Sequence, residues 1–130
     1  MELIDLIRQA TEIAKIRIAD EANQKRQQEV NERIEWEAKR KEYLLEEKLP
    51  EYLKRIADEA NKGQNFLMIK TSYFPQTDDE YRDSDFDYSF IFNELKQLGF
   101  SVQKRVETYR GNGEAEPMGL YYEFYLNVKW

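Results

Sequence analysis

The chain has 130 residues, a formal charge of −6 at pH 7 and a charged fraction of 35%, which suits one domain with an appendage. Its aromatic content of 14% argues against wholesale disorder. It contains no Cys and no His, which excludes disulfides, thiol nucleophiles and imidazole chemistry. The excess of acidic over basic residues argues against direct nucleic-acid binding. We expect no cofactor.

Nothing in the sequence indicates a membrane segment. No apolar run approaches the roughly 18 residues of a membrane span. Charged residues interrupt residues 1–22, so the uninterrupted apolar core of a signal peptide is missing. We therefore expect a cytoplasmic protein with no membrane contact.

Residues 1–49 contain neither Gly nor Pro and predict a helical arm. Residues 20–42 are rich in Glu, Lys, Arg and Gln, which favour helix, and Glu–cation pairs at i,i+4 support it. A continuous helix would be on the order of 70 Å long. It would have to project, fold back as a hairpin or pack against other chains, so we expect a homo-oligomer formed through this arm. The apolar residues that recur at helical spacing are Leu3, Leu6, Ile7, Ala10, Ile13 and Ala14, broadened by Ile16 and Ile18.

A second helix is expected between Pro50, which suits a first helical turn, and Gly63, which suits a C-terminal cap. The segment RIADEAN occurs twice, at residues 17–23 and 55–61. It indicates either two equivalent contact surfaces or two core-facing segments built from the same helix-forming residues.

Residues 50–130 predict a compact α+β domain. Strands are expected at 66–74, 100–109 and 120–130, with a helix at 88–98. This β-α-β-β order predicts a three-stranded sheet with helices on one face. A right-handed crossover would make the first two strands parallel, and a hairpin would make the last pair antiparallel.

Alternation along the last two strands predicts the apolar core. Val102 and Val106 share a face of the first, and Leu120, Phe124 and Trp130 share a face of the second. We expect Trp130 to be buried.

Three runs resemble one group of small proteins: IADEANKGQNFLMIK, FNELKQLGFSVQKRV and YYEFYLNVKW, within residues 54–130. Their order is similar to that of uncharacterised accessory proteins of phages that infect Gram-positive bacteria. The long charged arm and the acidic segment at 78–87 depart from that pattern. The resemblance implies a phage-encoded accessory protein of the host-takeover or anti-defence type, in the cytoplasm of the host cell. It transfers no site residues.

The acidic segment at 78–87 is expected to be a loop that contacts a partner, through Asp78, Asp79, Glu80, Asp83 and Asp85. Asp83, Asp85, Asp87 and Glu94 also match positions one, three, five and twelve of a calcium-binding loop. Tyr88 stands where that loop requires Gly, so we predict no metal site. The alternative is a solvated loop that caps the next helix.

A ligand site is expected on the polar face of the hairpin, because aromatic rings interleaved with cations can stack a base and hold a phosphate. The alternative is that a helix of this chain or of a partner covers these rings. The candidate residues are Tyr109, Tyr121, Tyr125, Arg105 and Arg110.

No G-x-S-x-G or S-x-x-K motif marks a nucleophile, so we expect a protein that is not an enzyme. The first hypothesis is a protein that binds and inhibits a host defence component by protein–protein contact, through the acidic loop at 78–87 or through the charged arm. The second is an oligomeric sponge that sequesters a nucleotide immune signal in the aromatic and arginine pocket.

Overall fold

The structure, a computed structural model, describes residues 2–72, 78–111, 113 and 119–130, including their side chains except those of Ser72 and Asp78. The fold is α+β with a three-stranded sheet, as the change of periodicity predicts. In chain order the elements are α1 (Leu3–Tyr43), a π-helical segment (Leu44–Lys48), α2 (Leu49–Asn61), β1 (Phe66–Ser72), α3 (Asp78–Gln97), β2 (Ser101–Gly111) and β3 (Gly119–Lys129).

The chain divides into two units, Met1–Lys39 and Arg40–Trp130. The second unit thus begins upstream of the boundary expected at Pro50. The reason is that Arg40 pairs with Asp87 of α3 and Leu44 is buried in the core of the second unit. Residues 40–49 therefore belong to the compact part of the protein.

The first unit is helical and none of its described side chains is buried. Charged side chains along it pair with neighbours on the same helix. Lys15 Nζ lies 3.4 Å from Glu12 Oε1, and Arg33 Nε donates to Glu37 Oε1 at 3.2 Å. Pairs of this kind stabilise a helix by a few tenths of a kcal/mol each.

The two RIADEAN segments occupy different environments. Ile56, in the second segment, is 5% exposed in the core, whereas the corresponding Ile18 is 60% exposed. They are therefore neither two core-facing segments nor two equivalent contact surfaces. The same local sequence forms helix in both places, and only the neighbouring elements decide whether it is covered.

Pro50 explains the π-helical segment that precedes α2. Proline has no N–H to donate to the carbonyl four residues back, and its ring crowds that carbonyl. The N–H of Leu49 bonds to Leu44 O, five residues back, which is the widened turn of a π-bulge. This turn lets both leucines reach the core, where Leu44 is 2% and Leu49 is 9% exposed.

Strand β3 lies between β1 and β2 and is antiparallel to both. Its Lys129 pairs with Phe66 of β1 and with Ser101 of β2. β1 and β2 therefore run in the same direction, as the crossover through α3 predicts, but they do not pair with each other.

Helices α2 and α3 cover one face of the sheet, as expected. Each contributes an apolar stripe, and the strands contribute the alternate residues that point toward the helices. Phe124, Leu126 and Val128 of β3 are fully buried at the centre. The other core residues are Leu44, Leu49, Tyr52, Ile56, Ile69, Tyr88, Ile91, Leu95 and Val102.

Glycine ends α3 and α2 in the same way. Gly99 has a φ of 100°, a left-handed conformation that favours glycine. The N–H of Phe100 then reaches Leu95 O at 3.2 Å and closes the last turn of α3. Gly63, with a φ of 83°, closes α2. Both glycines were expected as helix ends.

Alternation overestimates burial at three positions of the hairpin. Val106, Leu120 and Trp130 are in phase with the core, yet they are 41%, 45% and 38% exposed. The expectation that Trp130 is buried is therefore wrong. Its ring packs edge-on against Phe100 at 6.5 Å between centroids, and its backbone N–H donates to Asn65 O at 3.2 Å.

Two truncations should differ in their effect on stability. Leu126→Ala removes a fully buried side chain and should lower the free energy of unfolding by about 2–5 kcal/mol. Trp130→Ala removes a partly exposed ring and should lower it by about 1–2 kcal/mol. Urea denaturation of both variants measures the difference, and equal losses would contradict the peripheral position of Trp130.

Candidate functional site

The second face of the sheet is covered by none of the described helices, and we call it the open face. Phe66 and Met68 are 41% and 44% exposed there. Strand alternation and register place on it Phe66, Met68 and Lys70 of β1, Gln103, Arg105, Glu107 and Tyr109 of β2, and Tyr121, Glu123, Tyr125 and Asn127 of β3.

Lys70, Glu123 and Tyr125 form a polar cluster on the open face. Lys70 Nζ donates to Glu123 Oε1 at 3.0 Å, and Tyr125 OH donates to Glu123 Oε2. Lys70 Nζ also lies 5.8 Å from the centroid of the Tyr125 ring, within the range of a cation–π contact. The side chains of Lys70 and Glu123 are only 22% and 16% exposed, so this ion pair is partly shielded from water.

The cluster shifts the pKa of two of its members. Hydrogen bonds from Tyr125 and Lys70 lower the pKa of Glu123, because they stabilise its carboxylate. The same hydrogen bond to Glu123 raises the pKa of Tyr125 to about 12. At neutral pH both groups therefore keep their ordinary charge states.

Tyr109 and Tyr121 stack on each other across β2 and β3. Their ring centroids are 5.4 Å apart and their planes differ by 22°. Tyr121 is only 3% exposed. The facing surfaces of the two rings are thus in contact with each other and are not available to sandwich a base between them.

The two arginines of the expected ligand site lie on opposite faces of the sheet. Arg105 pairs with Tyr125 in register and its guanidinium donates to Glu107. Arg110 pairs with Leu120, on the face that carries α3. The structure therefore brings four of the five expected ligand residues to the open face and places Arg110 on the other.

Residues 78–87 form the first half of α3 and not the loop expected from the sequence. Carboxylates are favourable in the first turns of a helix because of its dipole. Tyr81 anchors this part of the helix, since its ring lies 4.9 Å from Tyr122 and 5.2 Å from Phe124 between centroids. The prediction of an acidic loop is therefore wrong.

The acidic residues that match the spacing of a calcium-binding loop lie on helix α3, where this spacing does not bring them together. Asp85 is rotated by about 200° from both Asp83 and Asp87 and points away from them, so the three carboxylates cannot converge on one ion. Asp87 instead accepts a bond of 2.8 Å from Arg40 Nε and a second bond from Arg40 Nη2. Within the described ranges, no group of three acidic side chains could hold a metal ion.

The acidic residues expected to contact a partner differ in exposure. Asp79, Glu80 and Asp85 are exposed, whereas Asp83 is half-buried. Arg82 reduces the local charge, with nitrogens 3.6 Å from an oxygen of Asp79 and 3.7 Å from an oxygen of Asp83. The side chain of Asp78 lies outside the described part of the structure.

The apolar stripe of α1 is exposed to solvent. Leu3 is 72%, Ile7 57% and Ile13 68% exposed. We call this surface, from residue 3 to residue 18, the arm stripe. Its exposed large members are Leu3, Ile4, Leu6, Ile7, Ile13, Ile16 and Ile18.

Sequence reasoning missed the two long-range ion pairs. Lys70 and Glu123 are 53 residues apart, and Arg40 and Asp87 are 47 residues apart. Alternation along β1 places Lys70 on the same face as Met68. A charged residue on that face was the available signal that the face carries polar contacts. Its partner across the sheet becomes known only with the strand register.

No family model matches the chain, and no curated protein or solved structure matches it either. Among the described residues, no helix is both long enough and apolar enough to cross a membrane.

The lowered pKa of Glu123 predicts a pH dependence of stability. The folded state stabilises its carboxylate, so this contribution is present above the ordinary pKa of a glutamate. It is lost as the pH falls through the lowered value. Below about pH 5 the wild type should therefore lose stability more steeply than Glu123→Gln, which has no proton to take up.

Urea denaturation between neutral pH and about pH 3 measures these slopes. Glu51→Gln, which changes an exposed carboxylate, serves as the control and should follow the wild type. An identical acid slope in Glu123→Gln and the wild type would contradict the role of the cluster.

Proposed function

We propose that this protein is a non-enzymatic, phage-type accessory protein that self-associates through the arm stripe and inhibits a host defence component by protein–protein contact. The exposure of the arm stripe is the observation that carries the proposal. Contiguous apolar surfaces of this kind mark interaction sites.

The composition of α1 supports association limited to its first part. Between residues 3 and 18 the helix has a broad apolar face, whereas the side of α1 at Gln24, Gln28 and Glu32 is polar. Farther along, Arg33 lies 4.1 Å above the Trp36 ring and bonds to Glu37. These charged side chains are paired within the helix and remain compatible with water.

The chemistry of the chain supports binding without catalysis. It has neither His nor Cys, which are the usual bases and nucleophiles at neutral pH. The described Lys70–Glu123–Tyr125 cluster is satisfied by its own hydrogen bonds. The pKa of Glu123 is lowered and that of Tyr125 is raised, so both shifts lead away from the neutral pKa that suits a general acid or base.

The exposed acidic residues of α3 are the proposed contact with the host component. Asp79, Glu80 and Asp85 give this end of the helix a negative surface that would complement a basic partner. The similarity of residues 54–130 to phage accessory proteins supports a host component as that partner.

Replacing these residues should abolish capture of the host protein. Tagged Asp79→Lys, Glu80→Lys and Asp85→Lys in one chain should recover none of the partner that the wild type recovers from host lysate. Capture by the wild type should weaken as salt increases. Glu29→Lys, Glu32→Lys and Glu42→Lys in one chain make the same change at exposed positions outside the arm stripe; this matched control should retain capture. Equal capture by both triple variants would contradict the proposed contact.

A second candidate function is sequestration of a nucleotide on the open face. The supporting observation is the direct pairing of Arg105 with Tyr125, which places a cation beside an aromatic ring. Nucleotides that bind there should raise the melting temperature of the wild type but not of Tyr125→Ala. Binding without that difference would contradict an open-face site.

The arm stripe should determine the oligomeric state. Ile13→Lys should weaken self-association at least about tenfold, because it places a charge in an apolar contact. Ile34→Lys makes the same change at a comparably exposed position, 60% against 68%, outside the stripe and should have no effect. Sedimentation equilibrium measures both, and a wild type that is monomeric at micromolar concentration would contradict the proposal.

A further inference from the structure

We infer that two copies of the chain pair through α1 in antiparallel orientation, around a two-fold axis beside Ala10. This inference rests on the self-association proposed above and adds its partner, a second copy, together with the orientation and register. Two features of the arm stripe support it, the small side chain of Ala10 and the cation of Arg17.

Ala10 lies at the middle of the arm stripe. Leu3 and Arg17 are each seven residues from Ala10, about two turns in opposite directions, and therefore lie on the same side of the helix. Leu3, Ala10 and Arg17 thus form one row along the helix. Leu6 and Ile13 lie beside this row on one side. Because Ala10 has the smallest side chain of the row, the backbones of two helices can approach most closely there. In a two-fold pair, a residue on the axis contacts the same residue of the other copy. Elsewhere, if residue i contacts residue j of the other copy, then j also contacts i.

Arg17 decides the orientation, because it is a cation within an otherwise apolar row. In a parallel pair, Arg17 of one copy would lie against Arg17 of the other, and the like charges would repel. In an antiparallel pair around Ala10, Arg17 of one copy lies at the height of Leu3 and Glu2 of the other. Its aliphatic stem can then cover the leucine while its guanidinium reaches the carboxylate.

The side chain of Arg17 is available for such a contact. It is 68% exposed, and its Nε lies 3.9 Å from Glu21 Oε1 within the same helix, which is the geometry of a weak surface ion pair. Glu2 is also exposed. Arg17 can therefore give up its pair with Glu21 for a shorter bond to Glu2 of the other copy at little cost in free energy.

The continuation of α1 gives an independent argument for the same orientation. After residue 18 the same side of the helix carries Glu21, Gln28 and Glu35. A parallel pair would bring Glu21 and Glu35 of the two copies against themselves. An antiparallel pair centred on Ala10 ends its overlap near residue 18, so the acidic part of each helix stays in water.

Cysteine cross-linking tests the orientation directly, because the chain has no native Cys. The full-length variants are Ala10→Cys, Leu3→Cys, Arg17→Cys and the control Arg8→Cys. Arg8 lies on the opposite side of the helix from Ala10. Each variant, and an equimolar mixture of Leu3→Cys and Arg17→Cys, is oxidised at micromolar concentration, and peptide mass spectrometry identifies the linked residues.

We expect Ala10→Cys to form a disulfide-linked dimer, Arg8→Cys to form none, and the mixture to form the 3–17 disulfide as its main product. Dominant 3–3 and 17–17 products would show a parallel pair and overturn the inference. Because position 10 meets itself in either orientation, Ala10→Cys separates the two proposals. A lack of linkage there would contradict a contact centred on Ala10, and a monomer in sedimentation equilibrium of the same sample would contradict self-association itself. Linkage there without the 3–17 product would contradict the antiparallel orientation alone.

Discussion

Strand β3 is the constraint on which the second unit depends. It is the only strand paired on both sides in the described sheet, and its Phe124, Leu126 and Val128 are fully buried. A three-stranded sheet cannot exclude water by itself, so α2 and α3 must cover the face on which these residues lie. The π-helical turn before Pro50 and the glycine ends at Gly63 and Gly99 bring those helices back onto that face.

Helices α2 and α3 cover one face of the sheet. The polar side chains of the open face therefore make their contacts with one another. The Lys70–Glu123 ion pair joins β1 to β3, and Tyr125 bonds to Glu123 within β3. Tyr109 and Tyr121 stack on each other across β2 and β3. Side chains that are already held by such contacts lose less conformational entropy when a ligand binds to them.

The two units differ in how their apolar residues are covered. The second unit covers its apolar residues with its own elements, whereas the arm stripe of the first unit is left in water. Helical stability in proteins comes mainly from packing an amphipathic face, and intrahelical ion pairs contribute little. The exposure of this stripe is what supports the proposal that a second chain covers it.

Local sequence determined most of the elements of this protein. The helical periods of residues 3–18 and of α2, the alternation along β3, and the helix ends at Gly63 and Gly99 all depend on neighbours within a few residues, so they could be predicted with the α+β class. Tertiary structure alone decided which residues face each other: Lys70 with Glu123, Arg40 with Asp87, and the separation of Arg110 from Arg105. It also decided that residues 78–87 are helical, because Tyr81 packs against β3, and that one RIADEAN segment is buried and the other exposed. These outcomes depend on strand register and on contacts between residues far apart in the chain, which no local pattern specifies.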